Sequence, residues 1–116
     1  AAVRMQGTTH LAALGSELTE AMDALERTSA GLRDTLSDVQ AGAPLDKDVI
    51  REFHRDFTHH EATLRRLLAD IQARLQNAAG TDRLLLLPAS SGMKSSLTSV
   101  RKTELLLEAL LLGEGR

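Results

Sequence analysis

The sequence contains no cysteine, and this absence excludes several kinds of chemistry at once. Without a thiol the chain can form no disulfide framework, thiolate nucleophile or thiolate metal site. Tryptophan and tyrosine are also absent, and only two phenylalanines are present. Since hydrophobic residues still make up 42% of the chain, the core must be built mainly from Leu, Ile, Val, Met and Ala. This composition favours helices, because aromatic and β-branched strand formers are scarce.

Neither sign of charge dominates, and long apolar runs are missing. The 14 basic and 16 acidic residues are interspersed and leave a formal net charge of −2. Nucleic-acid binding needs a basic surface with several phosphate contacts, so we expect no nucleic-acid partner. No run approaches the roughly 20 apolar residues that span a bilayer. We therefore expect a cytoplasmic protein that does not insert into membranes through these residues.

With 116 residues and two prolines, the chain is predicted to form a single domain over residues 1–116. Its first part has an apolar residue at every seventh position: Leu11, Leu18, Leu25, Leu32 and Val39. This repeat predicts a helix over about residues 9–40 with one face in the core. Gly42 and Pro44 then end the helix, because glycine suits the left-handed residue after a helix and proline lacks the N–H needed to continue one.

A second helix is predicted over residues 47–79. Asp46 can cap its free amides, and Gly80 ends it. Its apolar repeat also has a period of seven: Ile50, Phe57, Leu64, Ile71 and Ala78. Beyond Gly80 the pattern is ambiguous, because Leu84 to Leu87 fit either a short buried turn or an extension of the second helix. Pro88 to Gly92 reads as a loop, and a third helix is expected over about residues 95–112.

Three long helices joined by short breaks predict an all-α fold, an antiparallel up-down-up three-helix bundle with coiled-coil-like packing. A dimer that completes a four-helix core is the alternative, so self-association into a homo-oligomer stays open. In either case the apolar repeats of the first two helices predict the same set of buried residues: Leu18, Leu25, Leu32, Ile50, Phe57, Leu64 and Ile71.

The densest group of ionisable residues lies in the second helix. Asp56 and His60 are four residues apart and share a helical face, which is a spacing that metal ligands use. A closed site needs about four ligands, and the only histidine outside this helix lies far away on the first. We therefore interpret His60, which falls on the apolar stripe, as a hydrogen-bonded core histidine, whereas His54 and His59 fall off that stripe. A phosphorelay function is disfavoured because Glu61 would repel a phosphoryl group near His59. We expect no metal, no cofactor and no enzymatic activity.

Apolar residues crowd the end of the third helix: Leu105, Leu106, Leu107, Leu110, Leu111 and Leu112. One interpretation is a central helix that is buried on all sides. The other is a face left free to receive a partner helix in a groove, with Leu106 and Leu110 as the candidate partner-binding residues.

Several short strings resemble a known family. Arg51–Phe53 followed by Arg55–His59 resembles the second amino-terminal helix of Golgi SNAP-receptor proteins, which are Qb-type SNAREs. The preceding break, Ala41–Pro44, is similar to their inter-helix loop. Arg101–Leu107 looks like the basic–Thr–Glu–Leu stretch that leads into their SNARE motif, and the order of the strings agrees.

The resemblance implies a regulatory three-helix domain on the cytosolic side of Golgi membranes. Such domains bind tethering factors or the protein's own SNARE motif, and so control when a vesicle-fusion complex assembles. The alternative belongs to another class: a bacterial helical adaptor, such as a secretion chaperone or a signalling-bundle module. The Ala-, Leu- and Arg-rich composition fits that class equally well.

Overall fold

The protein is an all-α three-helix bundle. A computed structural model describes the backbone of residues 2–113 and the side chains of residues 12–113. The helices are α1 (Ala2–Gln40), α2 (Lys47–Asn77) and α3 (Thr81–Gly113). The chain runs up, down and up again, and the bundle measures 63 Å by 19 Å by 18 Å. Its long axis matches α1, since 39 residues at about 1.5 Å each give about 58 Å. The predicted fold class is confirmed.

The turn between α1 and α2 forms as the sequence predicts. The Ala43 amide donates to the carbonyl oxygen of Asp38 at 2.9 Å, and the Gly42 amide donates to that of Val39 at 3.0 Å. These two hydrogen bonds require a residue in the left-handed conformation at the end of the helix, and Gly42 has φ of +116°. The Asp46 carboxylate then accepts the Asp48 amide at 2.9 Å and caps α2.

The third helix begins much earlier than predicted, and the loop predicted at Pro88 to Gly92 is wrong. The segment from Thr81 onward is helical, with Pro88 inside the helix. Pro88 removes only the hydrogen bond to the carbonyl of Leu84, and both residues are exposed, so water can reach that carbonyl. Burial of Leu86 and Ser90 holds this end of the helix against the bundle.

The first helix also extends beyond its prediction. It starts at Ala2 rather than near residue 9. Gly7 lies inside this extension, and a glycine in a helix costs only about 1 kcal/mol, which is not enough to end the helix. The first position of the predicted stripe, Leu11, lies outside the residues whose side chains are described. At the other end, α2 stops at Asn77, two residues before the predicted end.

One apolar core runs through the bundle, and α2 lies at its centre. Its buried members are Leu14, Leu32, Ile50, Phe57, Leu64, Leu67, Ile71, Leu86, Met93, Val100 and Leu107. Of the seven positions predicted to be buried, Leu18 and Leu25 are instead half-buried. In the described part of the chain no Cα atom of α1 comes within 8 Å of one in α3, whereas α2 comes that close to both. The seam between α1 and α3 is therefore wide, and it covers Leu18 and Leu25 only in part.

Candidate partner-binding surface

The leucines of α3 outnumber the positions that the core can take. The buried row of this helix repeats every seven residues: Leu86, Met93, Val100 and Leu107. Leucines beside these positions point elsewhere, because each residue turns the helix by about 100°. The leucines left exposed are Leu84, Leu85, Leu87, Leu105, Leu106 and Leu112. They form two groups, one near each end of α3.

The structure separates the two predicted partner-binding residues. Leu106 is 47% exposed. Leu110 is half-buried and packs against the core, as Leu111 does. Leu110 follows the buried Leu107 by three residues and therefore stays at the edge of the inward face. The free surface at this end of α3 consists of Leu106 with Leu105 and Leu112, without Leu110.

A second row runs along one flank of α3, about 100° around the helix axis from the buried row, and we name it the outer row. It contains Leu87, Lys94, Arg101, Leu105 and Leu112, and each of these side chains is exposed. Their spacings of 7, 7, 4 and 7 residues keep them within about 40° around the helix axis. Sequence reasoning missed Leu87 because the predicted third helix began too late. The inward repeat continues across Pro88 to Leu86, and it was the signal that would have extended the helix.

The interface between α2 and α3 contains a pair of carboxyl groups. Arg101 Nη1 donates to Glu104 Oε2 at 3.0 Å, and Arg65 Nη2 donates to Glu61 Oε2 at 2.6 Å. The side chain of Glu104 is only 3% exposed, and its Oε1 atom is buried without a donor. Burial raises the pKa of Glu104, and the neighbouring Glu61 raises it further. The pKa of Glu61 is lowered, first by its hydrogen bond with Glu104 and then by Arg65. A proton on Glu104 that is donated to the Glu61 carboxylate satisfies both groups.

The histidines of α2 face different neighbours. His60 Nε2 lies 2.8 Å from Thr28 Oγ1 on α1, which confirms the predicted hydrogen bond, but His60 is half-buried and not a core residue. Burial lowers the pKa of His60, and His59 lowers it further, against a smaller opposite effect of Asp56. His54 Nε2 instead lies 3.3 Å from a carboxylate oxygen on α3, and His59 is exposed. Across residues 12–113 no three His, Asp or Glu side chains converge in a group that could hold a metal ion.

No helix in the described part of the chain is both long and apolar enough to cross a membrane. Comparison with known proteins yields no relative: no protein-family model, curated protein or solved structure matches this chain.

Proposed function

We propose that this chain is a non-enzymatic protein-interaction domain, of the kind that regulates vesicle fusion at the amino terminus of Golgi SNAREs. The observation that carries the proposal is the exposed leucine surface at the end of α3. Leu105 and Leu106 are 50% and 47% exposed, and Leu112 is 78% exposed. None of these three leucines belongs to the core or packs against it, so the core does not need them. Apolar side chains grouped on one surface favour coverage by a partner.

Binding is a better interpretation than catalysis for the carboxyl pair of Glu61 and Glu104. Two carboxyl groups with pKa values shifted in opposite directions form a pattern that acid–base enzymes use. A substrate would have to reach them, however, and Glu104 is 2% exposed. Arg65 also donates to a carboxylate oxygen of Glu61, and Arg101 donates to one of Glu104. The pair is therefore better suited to holding α2 and α3 together than to proton transfer with a substrate.

The strings that resemble the SNARE regulatory domain lie side by side in the bundle. Arg51–His59 belongs to the first half of α2, and Arg101–Leu107 belongs to the last half of α3. Because the two helices are antiparallel, these halves meet, with His54 of α2 beside Glu108 of α3. This adjacency supports one binding unit built from both strings. Under the proposal, that unit acts on the cytosolic side of Golgi membranes.

The proposal is tested by titrating the isotope-labelled protein with a synthetic Qb-type SNARE-motif helix and following its backbone amide signals by NMR. We expect shifts concentrated at the carboxyl-terminal end of α3. The double variant Leu105→Glu/Leu106→Glu should weaken binding at least about tenfold while helicity is retained.

The matched control is Gln72→Glu/Gln76→Glu, which adds the same charge at exposed positions of α2 and should bind like the unchanged protein. A folded protein whose amide signals do not respond to the SNARE-motif helix would reject the regulatory SNARE function. Shifts confined to other helices would move the binding surface away from α3.

A further inference from the structure

We infer that the outer row of α3 receives one long acidic amphipathic helix from a partner protein. This inference rests on the proposed function, because it specifies the chemistry of the partner. Leu87 lies at one end of the row, Leu105 and Leu112 lie at the other, and Lys94 and Arg101 lie between them. The row therefore offers apolar contacts at both ends and positive charge in the middle.

The length of the row sets the length of its partner. Leu87 and Leu112 are 25 positions apart on one helix, which corresponds to about 38 Å at 1.5 Å per residue. The spacings along the row follow the periodicity by which two helices pack side by side. A partner helix of about 25 residues or more contacts both leucine ends at once, whereas a short peptide covers only one end.

The charges on α3 determine which sign of charge the partner helix should carry. The acidic groups in its second half turn toward α2, where Glu104 meets Glu61 and Glu108 meets His54. The exposed basic side chains remain outside: Arg83, Lys94, Arg101 and Lys102. Neither Lys94 nor Lys102 forms an ion pair with any residue that the structure describes. Acidic residues on the partner would complement these cations, and basic residues would be repelled.

A second copy of the chain fits this surface poorly. Two outer rows packed against each other bring Lys94 and Arg101 of both copies to the centre, with no acidic residue in the row to separate them. Like charges placed opposite each other disfavour association. An anionic membrane fits poorly as well, because lipid recognition typically uses clusters of about four to eight basic residues close together, whereas here they are spread along the helix.

The test uses two synthetic helices of about 28 residues with the same leucine pattern, one with glutamates and one with lysines beside the leucines. Their affinities for the protein are measured by calorimetry at about 50 mM and about 300 mM salt. We expect the acidic helix to bind at least about tenfold more tightly at low salt, and its advantage to shrink at high salt. In the variant Lys94→Glu/Lys102→Glu the preference should reverse.

A control variant, Arg27→Glu/Arg33→Glu, makes the same charge change at exposed positions of α1 and should keep the preference for the acidic helix. Equal affinity for the two helices, or no binding of either, would overturn the inference. So would a stronger response to phosphatidylserine vesicles, or self-association that the Lys94→Glu/Lys102→Glu variant abolishes. If the SNARE-motif titration still shows binding at α3 in any of these cases, the proposed function stands and only the acidic partner is rejected.

Discussion

The carboxyl group of Glu104 on α3 lies against that of Glu61 on α2, inside the interface that joins the two helices. Glu104 is almost fully buried, and each carboxyl group also has an arginine of its own helix as a neighbour. The two carboxyl groups can be buried together if they share one proton, because two adjacent carboxylates would repel each other. The interface consequently depends on pH.

Replacing Glu104 with glutamine should stabilise the protein at high pH. The folded pKa of Glu104 lies above its ordinary value of 4.5, so the folded protein keeps a proton that the unfolded chain releases. The stability due to this group is complete below about pH 4.5 and is lost as the pH rises through the folded pKa. Glutamine stays neutral and can still donate to Glu61. We expect a gain of about 1–3 kcal/mol in the free energy of unfolding at high pH.

Urea unfolding of the Glu104→Gln variant and the unchanged protein between about pH 4 and pH 9 measures this effect. Glu61 contributes in the opposite direction, because its lowered pKa gives stability above its ordinary value of 4.5 that is lost as the pH falls. That acid-side loss should persist in the variant. The exposed Glu52 provides the control, since Glu52→Gln should leave the pH profile unchanged. Parallel profiles for the Glu104→Gln variant and the unchanged protein would mean that Glu104 is ionised in the fold.

A pair of leucine substitutions distinguishes the core from the outer row. Leu64 is 1% exposed and Leu105 is 50% exposed. Leu64→Ala should lower the free energy of unfolding by about 2–5 kcal/mol, because it leaves a cavity. Leu105→Ala should change it by no more than about 0.5 kcal/mol. Chemical denaturation of both variants gives the comparison. A large loss at Leu105 would place it in a packed interface, and a small loss at Leu64 would mean that α2 is not central.

The contact between His60 and Thr28 should weaken in mild acid. The folded pKa of His60 is below its ordinary value of 6.5, so the unfolded chain binds a proton more readily. Its contribution to stability is present above about pH 6.5 and is lost as the pH falls from there to the folded pKa. His60→Gln should remove this part of the pH dependence. The exposed His59 gives the comparison, because His59→Gln removes only the smaller of the two effects that lower the pKa of His60, so a reduced downward slope should remain. Melting curves between about pH 5 and pH 8 report the difference.

The sequence predicts α2 well because three independent signals agree there. Asp46 marks its start, a seven-residue apolar repeat marks its buried face, and Gly80 follows its end. The start of α3 is not predictable in the same way, since Pro88 and Gly92 are local signals for a loop and only packing against α2 overrides them.

Which leucines of α3 form the binding surface is likewise only partly predictable from the sequence. The excess of leucines in α3 indicates that some must be exposed, but the position of a neighbouring helix decides which ones. Leu110 is covered for that reason, and Leu106 is not. Glu104 belongs to the basic–Thr–Glu–Leu stretch, and it lies four residues after Val100 and three before Leu107. Both of those neighbours are buried, so helical periodicity alone would have placed Glu104 on the inward face.

Pro88 lies inside α3, and replacing it tests the length of that helix. Within a helix, proline removes one backbone hydrogen bond and crowds the preceding turn, at a cost of about 3 kcal/mol in a helix interior. Pro88 lies eight positions into α3 and is exposed, so Pro88→Ala should restore the bond to the carbonyl of Leu84 without creating a cavity. We expect the free energy of unfolding to rise by about 1–3 kcal/mol. Ser91→Ala, at an exposed position of the same segment, controls for the gain in helix propensity alone. It should raise the free energy of unfolding by at most about 0.5 kcal/mol. Chemical denaturation, with hydrogen exchange at the amides around residue 88, measures both effects. If this segment were a loop, Pro88→Ala would leave the protein equally stable or less stable, because proline restricts an unfolded chain.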